Sequence, residues 1–210
     1  MRVEALPDAP LVHRYLWHRL ASSDRGPSDE TVVDVLVALD VVDPDDPVVQ
    51  LIAELGEALN VHGGAPPANA PQHWRGLFAR RHRDDGPTGD VLLAAATPVF
   101  DNTAVVVYDM RSESHGFSIQ ARAVGDAAGD VNPFESGLPG VPLAWWARDD
   151  RDNTYLGQWG GHSGGDHDIS GELGFHPPLD PRARQLVIMP TGLSQRAVIE
   201  VALPDWSGGS

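Results

Sequence analysis

The sequence predicts an α+β protein in which an N-terminal helical region precedes an antiparallel β-sandwich, and a change of hydrophobic period carries that expectation. Over roughly the first 60 positions apolar residues recur at three- and four-residue spacing, as on one face of a helix. Beyond about position 90 they recur at every second residue, as in a strand with one buried face. Between the two lies Gly63-Gly-Ala-Pro-Pro-Ala-Asn-Ala-Pro71, with Asp84-Asp-Gly-Pro87 further on, a composition that favours turns and a linker.

Residues 1–62 read as about three helices. The first follows Asp8 and Pro10, with Leu11, Tyr15, Leu16 and Leu20 as its stripe. The second follows Gly26-Pro27, with Ser28 as N-cap, Asp29 and Glu30 near the positive end of the dipole, and Val32, Val35, Leu36 and Leu39 inward. Its valines make a strand the alternative. The third starts at Asp46-Pro47 and repeats Val48, Leu51, Ile52, Leu55 and Leu59 until Asn60 to Gly64 ends it.

Residues 63–90 form the linker, and Trp74-Arg-Gly-Leu-Phe-Ala-Arg-Arg-His-Arg83 within it is the one basic aromatic cluster of the chain. It reads as a solvated stretch or short helix, or as a segment that docks on an acidic surface.

Residues 91–205 read as the sandwich. The strand candidates are Val91–Phe100, Ala104–Met110, Phe117–Ala123, Leu143–Ala147, Thr154–Trp159, Ile169–Phe175, Gln185–Met189 and Ala197–Leu203, each bounded by Gly, Pro, Asp or Asn. No helical pattern intervenes, so the strands point to an immunoglobulin-like antiparallel sandwich rather than a parallel sheet with crossover helices. Residues 206–210 read as a tail.

Composition narrows the function classes. The formal charge of −15 argues against broad contact with nucleic acid or anionic membrane, both of which recruit basic surfaces. Without cysteine the chain has no disulfide, thiolate nucleophile or sulfur-ligated metal. No apolar run reaches the roughly 20 residues of a membrane span, and the first residues lack a basic region followed by an apolar core. A cytoplasmic protein without a cofactor is expected. All 15 basic residues are arginine, and with abundant Ala, Gly, Pro and Asp this suggests a GC-rich genome of the actinobacterial kind.

The segments Trp145-Trp-Ala-Arg-Asp-Asp-Arg-Asp-Asn-Thr-Tyr-Leu-Gly157, Pro177-Pro-Leu-Asp-Pro181 and Arg196-Ala-Val-Ile-Glu-Val-Ala-Leu-Pro204 resemble immunoglobulin-like β-sandwich domains of uncharacterised high-GC Gram-positive bacterial proteins. The resemblance covers about half the chain. It implies a fold and no activity.

Candidate chemistry concentrates between Leu143 and His176. Trp145, Trp146, Tyr155 and Trp159 are the candidate binding residues: an outward Trp146 near Tyr155 or Trp159 makes a platform for sugars or proline-rich peptides, while inward rings build the core. His162, Asp166, His167, Asp168 and His176 are the candidate metal ligands, a set that suits zinc, nickel or non-haem iron if three of them converge. Gly161-His-Ser-Gly-Gly165 matches the nucleophile-elbow pattern G-x-S-x-G, but no helical stripe follows and no histidine follows Asp180, so the order of a hydrolase triad fails. Asp149-Asp-Arg-Asp-Asn153 offers oxygen ligands for calcium, or simply the residues that a hairpin turn needs. His13 and His18 stand five apart and face different sides of a helix.

The expected function is non-catalytic binding or assembly through an acidic surface, with another protein or a second copy as partner. One alternative is a carbohydrate- or peptide-binding module using the aromatics. The other is a metal-dependent or serine hydrolase using residues 160–168.

Overall fold

A computed structural model of the chain describes residues 1–8, 13–14, 16–17, 37, 40, 42–60, 66–68, 70–80, 83–126, 143–165 and 167–206. Among these the chain forms β1 (Arg2–Ala5), α1 (Pro47–Asn60), α2 (Gln72–Arg80), β2 (Gly89–Val91), β3 (Ala95–Ala96), β4 (Thr103–Glu113), β5 (Gly116–Gly125), β6 (Ala144–Asp149), β7 (Thr154–Gly165), β8 (Asp168–His176), β9 (Gln185–Thr191) and β10 (Gln195–Ala202).

The ten strands join in one antiparallel sheet of order β1-β10-β9-β6-β7-β8-β5-β4-β2, with β3 beside β4. The sheet curls into a half-barrel, which corrects the sandwich expectation. Alternation identifies which side chains share a face and leaves open which strands exchange hydrogen bonds. Here β6 is bonded to both β7 and β9, and β8 to both β7 and β5, so the ladder runs on without dividing into two sheets. The curl then lets one face bury itself.

Two irregularities sharpen the curl. Register shifts between Val107 and Met110 on β4 and between Trp159 and Gly161 on β7 each interrupt a ladder, and bulges of this kind bend a strand and raise its twist. Long strands can then wrap.

The expected N-terminal helical region is corrected as well. The chain opens with β1, whose Arg2, Val3, Glu4 and Ala5 pair with Val198, Ala197, Arg196 and Gln195 of β10. Helical backbone follows at His13, Arg14, Leu16 and Trp17, and Val37 is helical; the remainder of the second expected helix lies outside the described residues. Helix α1 starts at Pro47, where the Asp46 carboxylate accepts the Val48 N–H at 2.9 Å. The stretch read as a linker contains α2, with Trp74, Leu77 and Phe78 buried at i, i+3 and i+4.

Two cores result. Inside the curl, Val105, Ile119, Trp145, Tyr155, Leu173 and Ile188 belong to one continuous buried cluster, and Phe117 stacks on Phe175 with centroids 4.8 Å apart. Gly157 lies between Trp145 and Phe175 in register, and a Cβ there would stand 2.6 Å from the Phe175 ring. A glycine in mid-strand makes room for that ring. On the outer face, Leu16, Val42, Ile52, Leu55, Trp74, Leu77 and Phe78 cover Ala144 and Leu156. The helices are therefore a layer on the sheet. No described helix is long and apolar enough to cross a membrane.

Candidate functional site

The outer face of β6 is the floor of the candidate site. Along Ala144-Trp-Trp-Ala-Arg-Asp149, alternation sends Trp145, Ala147 and Asp149 inward and leaves Ala144, Trp146 and Arg148 outward. Trp145 is 2% exposed and meets Trp159 edge to face, centroids 5.8 Å apart, while Tyr155 is fully buried. Of the four candidate binding residues, then, Trp145, Tyr155 and Trp159 face the core. Only Trp146 lies on the other side.

Trp146 is half-buried because α2 reaches it. His73 and Trp74 stand with ring centroids each 5.1 Å from that of Trp146, both nearly perpendicular to it. Neighbouring atoms desolvate the His73 imidazole and hold its pKa below the usual histidine range, although the residue as a whole is exposed. Beside this group a groove of about 360 Å³ opens over β1, β10, β9 and β6. Val187, Met189 and Val198 supply apolar floor, and Arg2, Arg148 and Arg196 supply charge.

The charges differ in their commitments. Arg196 grips Glu4 through Nε at 2.9 Å and Nη2 at 2.7 Å. Arg2 donates to Glu4 at 2.8 Å and to Glu200 at 2.6 Å. Glu4 is held below the ordinary glutamate pKa, first by Arg196 and then by Arg2. Arg148 has one carboxylate near it among the described residues, Asp152 at 4.0 Å, and its side chain is 60% exposed. It is the cation available to a ligand.

A second hollow of about 390 Å³ lies across the outer face of β2, β4, β5 and β8. Asp90, Asp109 and Glu172 line it, with Arg111 already paired to Asp90 at 3.2 Å. Its charge follows that of the whole chain.

The candidate metal ligands are spread along a hairpin. Residues 160–165, beyond the expected strand end at Trp159, continue strand β7 and pair with β8, His162 opposite Gly171 and Gly165 opposite Asp168. The Asp168 carboxylate takes two hydrogen bonds from Arg122, at 2.9 and 2.6 Å, and His167 lies 4.0 Å from Asp126. His176 is at the far end of β8, opposite Leu156, with its ring stacked on His115. Asp166 lies outside the described residues. Among the described residues no group of three such side chains is placed to hold a metal ion. Ser163 is exposed in mid-strand opposite Ser170, where no strand-to-helix turn presents it.

The 149–153 segment is a hairpin turn with its carboxylate engaged. Asp149 accepts the N–H groups of Arg151 and Asn153, the Asn153 side-chain amide and the Tyr155 hydroxyl, the last at 2.6 Å. Burial, reinforced by Asp149, pushes the Tyr155 pKa well above the usual tyrosine value. Arg80 of α2 lies over the Tyr155 ring, 5.2 Å from its centre, and donates to the Pro178 carbonyl at 2.7 Å. These contacts tie α2 to β7 and to the segment between β8 and β9.

Sequence reasoning placed Trp146 among its candidates and missed His73, Arg148 and Met189. His73 sits just ahead of the basic aromatic cluster, but nothing in that run specifies where it docks. Met189 meets Trp146 only through the β6–β9 register.

No protein-family model and no curated protein matches the chain. A solved structure described as the conserved domain protein from Bacillus anthracis is similar at a TM-score of 0.38 and 16% identity, over 50% of this chain and 35% of that one.

Proposed function

We propose that the protein is a non-catalytic binding protein that acts in the cytoplasm and recognises a segment of another protein in the groove beside Trp146. The observation that carries this reading is the combination, in one groove, of a half-buried Trp146, an apolar floor and Arg148, which among the described residues is held only by the exposed Asp152 at 4.0 Å. Functional grooves are commonly apolar with a few convergent polar groups.

A protein segment fits better than a sugar. A sugar platform needs an open aromatic face, and His73 and Trp74 flank Trp146 at 5.1 Å. Another protein fits better than a second copy, since two chains of charge −15 repel each other at long range.

Selection from a displayed peptide library tests this. Enriched peptides are expected to lose binding at least about tenfold with Trp146→Ala, a typical central-anchor loss, and with Met189→Lys, which puts a charge on the apolar floor while keeping the indole. Tyr108→Ser, on the outer face of β4, is expected to leave them unchanged. Binders indifferent to both groove substitutions in folded protein would overturn the reading.

A further inference from the structure

We infer that the segment recognised in this groove is acidic, with a carboxylate held by Arg148 and an apolar side chain laid beside Trp146; the inference rests on the groove being the binding seat. The chain as a whole carries −15, yet this groove brings together three arginines and one glutamate. Glu200 and Asp152 stand beside Arg2 and Arg148, so the patch is balanced where the chain as a whole is strongly acidic, and a negatively charged ligand meets less repulsion here.

The geometry singles out one of the three. Arg2 and Arg196 spend their donors on Glu4 and Glu200, so a ligand would have to displace those pairs. Arg148 sits near the turn end of β6, opposite Val187 on β9 and Thr154 on β7. Its neighbour Asp152 is itself 91% exposed at 4.0 Å, an arrangement that a better-placed carboxylate replaces at little cost. A guanidinium offers two parallel N–H donors to a carboxylate, a geometry that a lysine or a neutral amide does not reproduce.

Spacing adds the apolar half of the ligand. Trp146 and Arg148 are two residues apart on one strand and therefore project from the same face, roughly 6–7 Å apart along it. An extended peptide repeats side chains on one face at the same interval. The matching ligand therefore has a hydrophobic residue and a glutamate or aspartate two positions apart.

Two pools of capped pentapeptides test this by calorimetry and tryptophan fluorescence. One pool pairs each apolar residue with glutamate two positions away, and the other replaces glutamate with glutamine. The glutamate pool is expected to bind about twofold to fivefold more tightly, the range for a solvent-exposed ion pair. Arg148→Gln is expected to erase that difference, Arg148→Lys to restore part of it, and Trp146→Ala to weaken both pools together. If the two pools bind alike and both need Trp146, the acidic ligand is wrong while the groove as a binding seat survives. If neither pool binds and an acidic oligosaccharide binds through Arg148, the peptide is wrong. If neither pool nor the oligosaccharide responds to substitution at Trp146 or Arg148 in folded protein, the inference and the binding seat fall together.

Discussion

Trp74 of α2 meets Trp146 of β6 edge to face, with ring centroids 5.1 Å apart and planes at 87°. This contact joins the stretch richest in linker residues to the outer face of the sheet. It also makes the shape of the groove depend on α2 staying seated.

Truncating the buried partner should therefore be costly. Trp74→Ala removes a ring that is 1% exposed and leaves a cavity between α2 and the sheet, an expected loss of about 3–5 kcal/mol. Urea unfolding followed by circular dichroism checks it. Trp146→Ala, which removes a half-buried ring, should cost clearly less.

Tyr155 should make the protein alkali-sensitive. Its folded pKa is raised, so in the unfolded chain the phenol releases its proton near the ordinary value of 10.0, whereas in the native state it keeps it. The unfolded state then binds fewer protons, and stability falls as pH rises past that value. Thermal melts from pH 8 to 11 should show Tm dropping above pH 10 in the wild type and a shallower slope in Tyr155→Phe. At neutral pH the same variant should lose about 1–3 kcal/mol, because Asp149 keeps its burial and loses a donor.

Asp101 should act as the clasp of the curl. Its carboxylate accepts N–H groups from Ser194 at 2.9 Å and Gln195 at 3.0 Å and the Ser194 hydroxyl, while its own N–H donates to the Gln195 side chain at 3.1 Å. The link ties the turn before β4 to the β9–β10 turn, across the sheet order. Asp101→Ala should cost about 1–3 kcal/mol. Hydrogen exchange is expected to speed up locally at residues 192–196, and unchanged exchange there would remove the clasp.

Gly157 should tolerate no side chain. A Cβ would lie 2.6 Å from the Phe175 ring and 2.9 Å from the Trp145 Cβ, so Gly157→Ala should cost about 1–3 kcal/mol by overpacking. Adding Phe175→Leu should recover part of the loss if the ring is the obstacle, which paired unfolding curves would reveal.

How far these relationships were legible depended on their range along the chain. Phe117, Ile119, Ala121 and Ala123 alternate with polar neighbours, and that period marked β5 and its buried face. Asp46-Pro47 marked the start of α1 through the capping chemistry of two adjacent residues. The strand at Arg2–Ala5 is too short for its period to register, and Gly160–Gly165 lacks apolar residues altogether. Both are strands because a neighbour supplies the ladder, β10 in one case and β8 in the other.

The candidate site divides in the same way. Aromatic content pointed to Trp145, Trp146, Tyr155 and Trp159, and alternation required Trp145 and Trp146 to face opposite sides. Whether the outward side was solvent, core or groove awaited the docking of α2, some 70 residues earlier in the chain. The sequence by itself determined the local quantities: which residues alternate, where a helix is capped, the absence of cysteine and the excess of acid. Tertiary structure alone decided that the strands form one curled sheet, that the helices cover its outer face, and that His73, Trp146 and Arg148 share a groove. Period and capping are set by residues a few positions apart, whereas strand order and helix docking are set by which distant surfaces exclude water from one another.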